Sequence, residues 1–480
     1  MLSIQSFKDR IKKNFWSILT WGLVIFFGVL YISLIFNQNV WTDEVFTFNL
    51  LKNDIPGIIE GTAQDVHPPL YYLYAKIFEC LWPQNVQAQK IATIIPMVTV
   101  LIYLSIKAKK LFNEKAAFFS ILFLTCLPCT MEFAVQIRMY SLALLFVTIS
   151  ALEAYELYIN YNIKSCILLV IGSAGAAYTH YFAFVSICFI NAILFVFLLF
   201  NNRKTLKRYF ICLLVMLLLY SPWMPYMYKQ VTAVRAGYWI APITLETIWS
   251  YFVWTFGLNL LPGFEYLYIA LIGSLIVLSF IYIKKDKKYI GVALLSLLIP
   301  ILTAGSGVII SLSKAPIYRD QYILPALGTL ALFVGISIAV ILKNAENTKV
   351  VTVFMAVITI FLLLSGAVQY KECYLQEYKS TYLEKTMAWY NSEVGPNDYI
   401  LYNYKPMGYV YEYYFPQDRL FYVEDFDLSS DYDNVWFLCS PECWPITQND
   451  LVNYNLWMEH CGWYGIEHSE FDLFKVTHND

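Results

Sequence analysis

The sequence predicts an α-helical polytopic membrane protein, with about eleven transmembrane helices and a small extracytoplasmic α/β domain at the C-terminal end. Three observations predict it. Of the 480 residues, 59% are hydrophobic and only 14% charged, and the mean hydropathy is +0.54; a soluble domain has roughly 45–50% apolar and about 25% charged residues. Apolar runs of about 20 residues, the length that crosses a bilayer as a helix, recur over most of the chain. From residue 370 onward the composition turns polar and Tyr-rich. The balance argues against a soluble enzyme, a nucleic-acid binder and a disordered scaffold. A net charge of −2 gives no global pull towards a polyanion.

Taken in order, the runs place spans at 15–36, 91–106, 116–131, 139–158, 165–179, 181–200, 209–226, 266–283, 289–312, 321–342 and 350–368. A basic stretch, Ser3 to Lys13, precedes the first run, which is long enough to stay as a membrane helix rather than be removed as a signal. The fifth and sixth spans share a tight turn. Residues 1–369 thus form the membrane domain, with a long first outer loop at 37–90, and 370–480 a soluble domain. In the latter, Asp398–Asn403 and Val435–Cys439 read as strands and Glu384–Tyr390 as helix. Cys126 and Cys129 form a C-x-x-C that reads as membrane core, because no second Cys/His pair is near it. Cys439 and Cys443 lie in the polar tail and could pair outside the cytosol.

Lysine and arginine bias sets the expected orientation. With a cytoplasmic N-terminus, 19 of the 33 basic residues fall in inner segments such as KAKK, NNRKTLKR and KKDKK, 8 are scattered singly over the outer loops and 6 lie in the tail. The reading is a multi-pass protein of the inner (plasma) membrane whose C-terminal domain is extracytoplasmic. Asp43, Glu44, Asp65, His67, Glu132, Arg138, His180, Arg235, Lys314 and Arg319 then all fall at outer helix ends or in outer loops. The inner ends carry basic clusters and almost no acid–base constellations. An enzyme with this layout works where nucleotide sugars and ATP are absent, so its donor must be borne by the membrane.

Each motif has a chemical and an ordinary reading. The adjacent carboxylates Asp43 and Glu44, just beyond the first span, repel each other and favour a proton or a cation. They suit a general base for an acceptor hydroxyl, or a metal site together with Asp65; otherwise they cap a helix. In Asp65-Val-His67-Pro-Pro, the prolines bar Val66 and His67 from helix and start the helix that follows. Glu132 and Arg138 bracket an outer hairpin, and a cation at that depth needs a partner, either Glu132 or a lipid phosphate. His180 stands at the tip of a Y-T-H-Y hairpin. Lys314, Arg319 and Tyr322 lie near the start of the tenth span, where Arg suits forked phosphate binding and Asp320 partly neutralises it. Arg235 and Tyr238 sit in a long outer loop with Trp239, Trp249 and Trp254, whose rings can stack on sugar or lie on lipid.

The motifs W-T-D-E-V-F, D-V-H-P-P-L-Y-Y, I-R-M-Y-S-L, T-H-Y-F-A and Y-R-D-Q-Y-I-L-P together resemble the bacterial glycosyltransferases related to protein O-mannosyltransferases and to the lipid A aminoarabinose transferases. The resemblance covers about residues 15–370. It implies a GT-C fold whose first outer loop forms interfacial helices over a cavity. It implies a polyprenyl-phosphate-linked monosaccharide as donor, inversion at the anomeric carbon, and Asp43 at the position of the catalytic carboxylate. Glu44 is then expected to orient the acceptor or hold a cation. Many relatives have an Arg-Tyr pair where this chain has Arg319-Asp-Gln-Tyr322. A divalent cation is admitted as cofactor; the acceptor is a protein hydroxyl, lipid A or a polysaccharide, and no nucleic acid is expected as partner. The alternatives are a transporter or flippase of an isoprenoid-linked glycan, which calls for charges within span centres or paired halves, and a non-catalytic membrane scaffold.

Overall fold

The computed structural model describes residues 14–36, 40–236, 240–283, 286–345, 348–378, 381–427, 432–440, 456–466 and 469–478. The basic stretch before residue 14 lies outside them. The chain divides into two compact units, one of Met1–Ile35 with Asn53–Cys373 and one of Phe36–Lys52 with Tyr374–Asp480.

The helices run α1 Phe15–Ser33, α2 Thr42–Leu51, α3 Ile55–Gln64, α4 Leu70–Leu81, α5 Val86–Leu111, α6 Glu114–Cys126, α7 Pro128–Phe133, α8 Tyr140–Ile159, α9 Ile163–Thr179, α10 Tyr181–Asn201, α11 Arg203–Tyr220, α12 Met224–Ala236, α13 Leu245–Phe256, α14 Glu265–Ile283, α15 Lys287–Ser313, α16 Leu327–Asn344 and α17 Thr348–Tyr378. Among the described residues, nine helices are long and apolar enough to cross a membrane. Two of the expected spans are shorter. The fifth falls on α9, an apolar helix of 17 residues. The third is broken into α6 and α7, because Leu127 precedes Pro128 and takes an extended conformation, φ −67° and ψ 124°.

In the first unit, α16 is the central helix and is buried along almost its whole length. Its glycines let neighbouring backbones approach, as small residues do in membrane bundles. A Cβ on Gly335 would stand 2.4 Å from the Ala116 carbonyl oxygen and 2.1 Å from Ser120 Oγ of α6. Gly335→Ala is therefore expected to destabilise the unit by about 1–3 kcal/mol, the usual cost of overpacking, read as a lower Tm in detergent. The outward faces of α1, α11 and α17 expose large apolar side chains such as Ile25, Leu218 and Val353, as lipid contact requires.

At one end of the bundle, α5 and α8 meet through charges. Lys107 pairs with Glu153 and Glu156, Lys110 with Glu156 at 2.5 Å, and Tyr103 donates to Glu153. The sequence expects few acid–base groupings at this end; the structure supplies one, because Glu153 and Glu156 on one turn of α8 face positions 103, 107 and 110, one stripe of α5.

The second unit has a five-stranded sheet, β1 Tyr399–Tyr402, β2 Leu420–Tyr422, β3 Val435–Cys439, β4 Leu456–Ile466 and β5 Ser469–His478, in the order β2-β1-β3-β5-β4. β1 runs parallel to β2 and β3; β5 runs antiparallel to β3 and β4. The helix α18, Thr381–Glu393, packs on it, with Thr386 Oγ1 donating to Gly465 O at 2.7 Å and Trp389 edge-on to Trp436 at 5.2 Å. Leu401, Val435, Phe437 and Val476 belong to a separate core cluster. Asp398 is buried but satisfied, accepting from Trp436 Nε1 at 2.8 Å and Asn434 N at 3.1 Å. Residues 40–51 pack within this unit: Val40 N donates to Tyr414 Oη at 3.0 Å, and Phe48 lies 5.6 Å from Tyr413. Cys443 lies outside the described residues.

Candidate active site

Several residues marked by the sequence meet in the first unit. Asp65 ends α3 in an extended conformation, and Pro69 precedes α4, so residues 65–67 stay outside helix. This carries the His67 ring inward, to 8% exposure. α3 is held in place by its own packing: Ile59 and Ala63 lie against a cluster of Ala177, Tyr220 and Trp223. Arg138 sits in the turn between α7 and α8, 4% exposed. Its Nη2 is 3.2 Å from His67 Nε2. A guanidinium can only donate, so His67 Nε2 accepts and the ring proton is assigned to Nδ1. The sequence offers Glu132 or a phosphate as partner for Arg138; the structure adds His67.

His180 is the single residue between α9 and α10. It caps α10, its Nδ1 accepting the Phe182 N–H at 3.1 Å, which assigns the His180 proton to Nε2. Its ring stacks on His67 at 5.5 Å and 27°, and Tyr322 meets it edge-on at 5.1 Å. Tyr322 also stacks on Phe182 at 5.0 Å. Burial, with Arg138 beside them, pushes both imidazoles well below their ordinary range; His67 lowers His180 further. Both rings are therefore neutral at pH 7. Burial raises the Asp65 carboxyl, against the opposing pull of the Val66 N–H and of Arg138. Its Oδ2 is buried with no hydrogen-bond donor in reach among the described residues.

Histidines with folded pKa values below the unfolded value, about 6.5, give stability that is complete above that pH. It declines as pH falls below it, because the unfolded chain then binds more protons. The detergent-solubilised protein is expected to melt at lower temperature at about pH 5 than at about pH 7.5. A His67→Gln/His180→Gln variant should show a smaller drop; an equal drop would show that the imidazoles do not carry it.

His67, His180, Tyr181, Phe182, Gln230 and Tyr322 line a cavity of about 270 Å³, with Lys314 among its exposed lining. Three of these residues, Tyr181, Phe182 and Gln230, were not singled out as site residues. Tyr181 donates to Gln230 Oε1, and Gln230 Nε2 donates to the Thr62 carbonyl at 2.7 Å. Gln230 thus ties α12 to the last turn of α3, three residues before Asp65. The sequence signal is slight: one amide within an otherwise ordinary helix.

A second cavity, of about 460 Å³ and almost wholly apolar, adjoins the same loop. Ala315, Ile317 and Tyr322 line the first cavity; Tyr318, Asp320 and Ile323 line the second, with Tyr251, Phe252 and Leu362. Arg319 is partly exposed, its Nε 3.7 Å from Asp320 Oδ1. Glu132 Oε2 accepts from Trp254 Nε1 at 3.3 Å. The Arg235 side chain and Tyr238 lie outside the described residues.

Asp43 and Glu44 belong to the second unit, in the first turn of α2. Glu44 is buried and accepts the Trp41 N–H at 3.2 Å, closing the end of its own helix. Among the described residues, no three His, Cys, Asp or Glu side chains are grouped as a metal site.

Residues 66–226 match the family model described as dolichyl-phosphate-mannose-protein mannosyltransferase. No curated protein matches the chain. Among solved structures, ArnT from Cupriavidus metallidurans in the apo state is similar, with a TM-score of 0.57 and 11% identity over 97% of this chain and 98% of that one. The same protein bound to undecaprenyl phosphate gives a TM-score of 0.58 and 12% identity, over 96% and 98%. These two likenesses show the fold.

Proposed function

We propose that this chain, a multi-pass membrane protein, is a glycosyltransferase of the GT-C family that moves a monosaccharide from a polyprenyl-phosphate carrier to an extracytoplasmic acceptor hydroxyl, with inversion. The observation that carries the reading is the buried Arg138, hydrogen-bonded to a neutral imidazole beside a cavity, with an apolar cavity on the other side of one loop. A phosphate and an isoprenoid chain need those two environments side by side. The match to an ArnT bound to undecaprenyl phosphate supports the same donor class.

In the proposed reaction the acceptor oxygen attacks the anomeric carbon on the face opposite the phosphate. The bond from that carbon to the phosphate oxygen breaks, and the carrier leaves as polyprenyl phosphate. Negative charge grows on the leaving phosphate, and a pre-placed guanidinium stabilises it; Arg138 is our candidate, with Lys314 and Arg319 as further cations. Neutral His67 and His180 hold Arg138 and the sugar without adding competing charge. Asp43 is assigned as the base that takes the acceptor proton, from its place in W-T-D-E. Glu44 and Asp65 support the acceptor and the loop.

The test is transfer in liposomes from polyprenyl-phosphate sugars labelled in the sugar. Polyprenyl phosphate should appear in step with the glycosylated acceptor. Equal use of a nucleotide sugar would overturn the reading.

A further inference from the structure

We infer that the end of the bundle remote from His67 holds an anionic glycerophospholipid, its acyl chain between α8, α10 and α15 and its phosphate at the cations that open α11. The inference is independent of the proposed sugar transfer.

A cavity of about 500 Å³ lies there. Its lining is apolar along Ala151, Ile190, Leu194 and Leu295, and polar where Tyr158, Asn201 and Asn202 border it. That is the graded lining an acyl chain with a polar head requires. α11 starts at the next residue. Arg203, Lys204, Lys207 and Arg208 occupy its first two turns at spacings of one and four, so they share one face, and all four are exposed. The Arg208 guanidinium lies 4.5 Å over the Tyr161 ring. Asn202 Oδ1 caps the helix through Thr205 N at 3.0 Å, and the helix start adds its own partial positive charge.

The charge balance at this end identifies the headgroup. Lys107, Lys109, Lys110 and Lys343 each face a carboxylate, from Glu153, Glu156, Glu114 or Asp286. The sequence has no Asp or Glu between Glu156 and Glu246. None of the four cations on α11 takes part in an ion pair among the described residues. A zwitterionic lipid would fill the cavity equally well but bring its own cation beside these four. A juxtamembrane cation contributes about fivefold in affinity for an anionic lipid surface.

The experiment is native mass spectrometry of the full chain in detergent, with phosphatidylglycerol or phosphatidylcholine of identical acyl chains added. Phosphatidylglycerol should be retained preferentially. Exchanging Arg203, Lys204, Lys207 and Arg208 for Gln should cut retention by about fivefold per cation until it matches phosphatidylcholine. Ala151→Trp, which fills the cavity, should remove the bound lipid with the Tm of the lipid-free protein unchanged; Leu295→Trp serves if the first variant melts early. Equal retention of both lipids by the wild type overturns the proposal, as does a preference that survives the four exchanges. Displacement of phosphatidylglycerol by equimolar undecaprenyl phosphate, blocked by the cavity-filling variant, also overturns it by making the occupant an isoprenoid.

Discussion

Replacement of Asp43 by Asn or Ala is expected to reduce sugar transfer by at least ~10²–10⁴-fold, the usual contribution of a positioned general base. The loss should appear in kcat, because in the proposed reaction the carboxylate acts on the acceptor proton as the new bond forms rather than on donor binding. Glu44 gives the internal contrast. Its carboxylate closes the first turn of α2 on the Trp41 N–H, so Glu44→Ala should lower stability by about 0.5–2 kcal/mol, the range for a lost helix cap. Initial rates in liposomes and Tm values in detergent separate the two effects. An Asp43→Asn enzyme that works at near wild-type rate would remove Asp43 from the chemistry.

The second large effect is expected at Arg138. Arg138→Ala should cost ~10²–10³ in kcat, as removal of a charge-stabilising donor does in a closed site. It also leaves His67 Nε2 without its donor at 3.2 Å. Arg138→Lys should rescue little, because an ammonium offers one point of charge where a guanidinium offers a fork. Binding of undecaprenyl phosphate distinguishes the two positions. The Asp43→Asn protein should retain it, and the Arg138→Lys protein should lose most of it. Equal binding by both variants would take Arg138 out of phosphate recognition.

The helical class was legible because hydrophobic length is read directly from sequence, and the expected spans fall on helix in the structure, the third interrupted at Leu127. What composition could not give was the break at Leu127. Pro96 and Pro300 sit inside continuous helices, whereas Pro128 starts a new one; packing decides between a tolerated proline and a stop. The stiff turn at Asp65–Pro69 was legible, since proline restricts its own φ and the residue before it. Asp65, His67, Arg138, His180 and Tyr322 each stood out singly. Their convergence depends on α3, α8 and α10 meeting, which a single sequence does not encode in any local pattern. Gln230 was invisible for the same reason, and Tyr181 stood out only as the neighbour of His180 in the Y-T-H-Y turn. Tyr181 and Gln230 are 49 residues apart, and Thr62 is 168 residues from Gln230. The charges Glu153 and Glu156 were hidden by their setting in an apolar run, and only the facing lysines of α5 account for them.

The loop from Ala315 to Ile323 is a party wall. Ala315, Ile317 and Tyr322 look into the chamber that holds the two histidines, and Tyr318, Asp320 and Ile323 into the greasy one, so neither room can be reshaped without disturbing its neighbour. In the proposed reaction, preference for isoprenoid length and preference for sugar would thereby be inherited together, and grafting these few residues from a relative should transplant both traits at once.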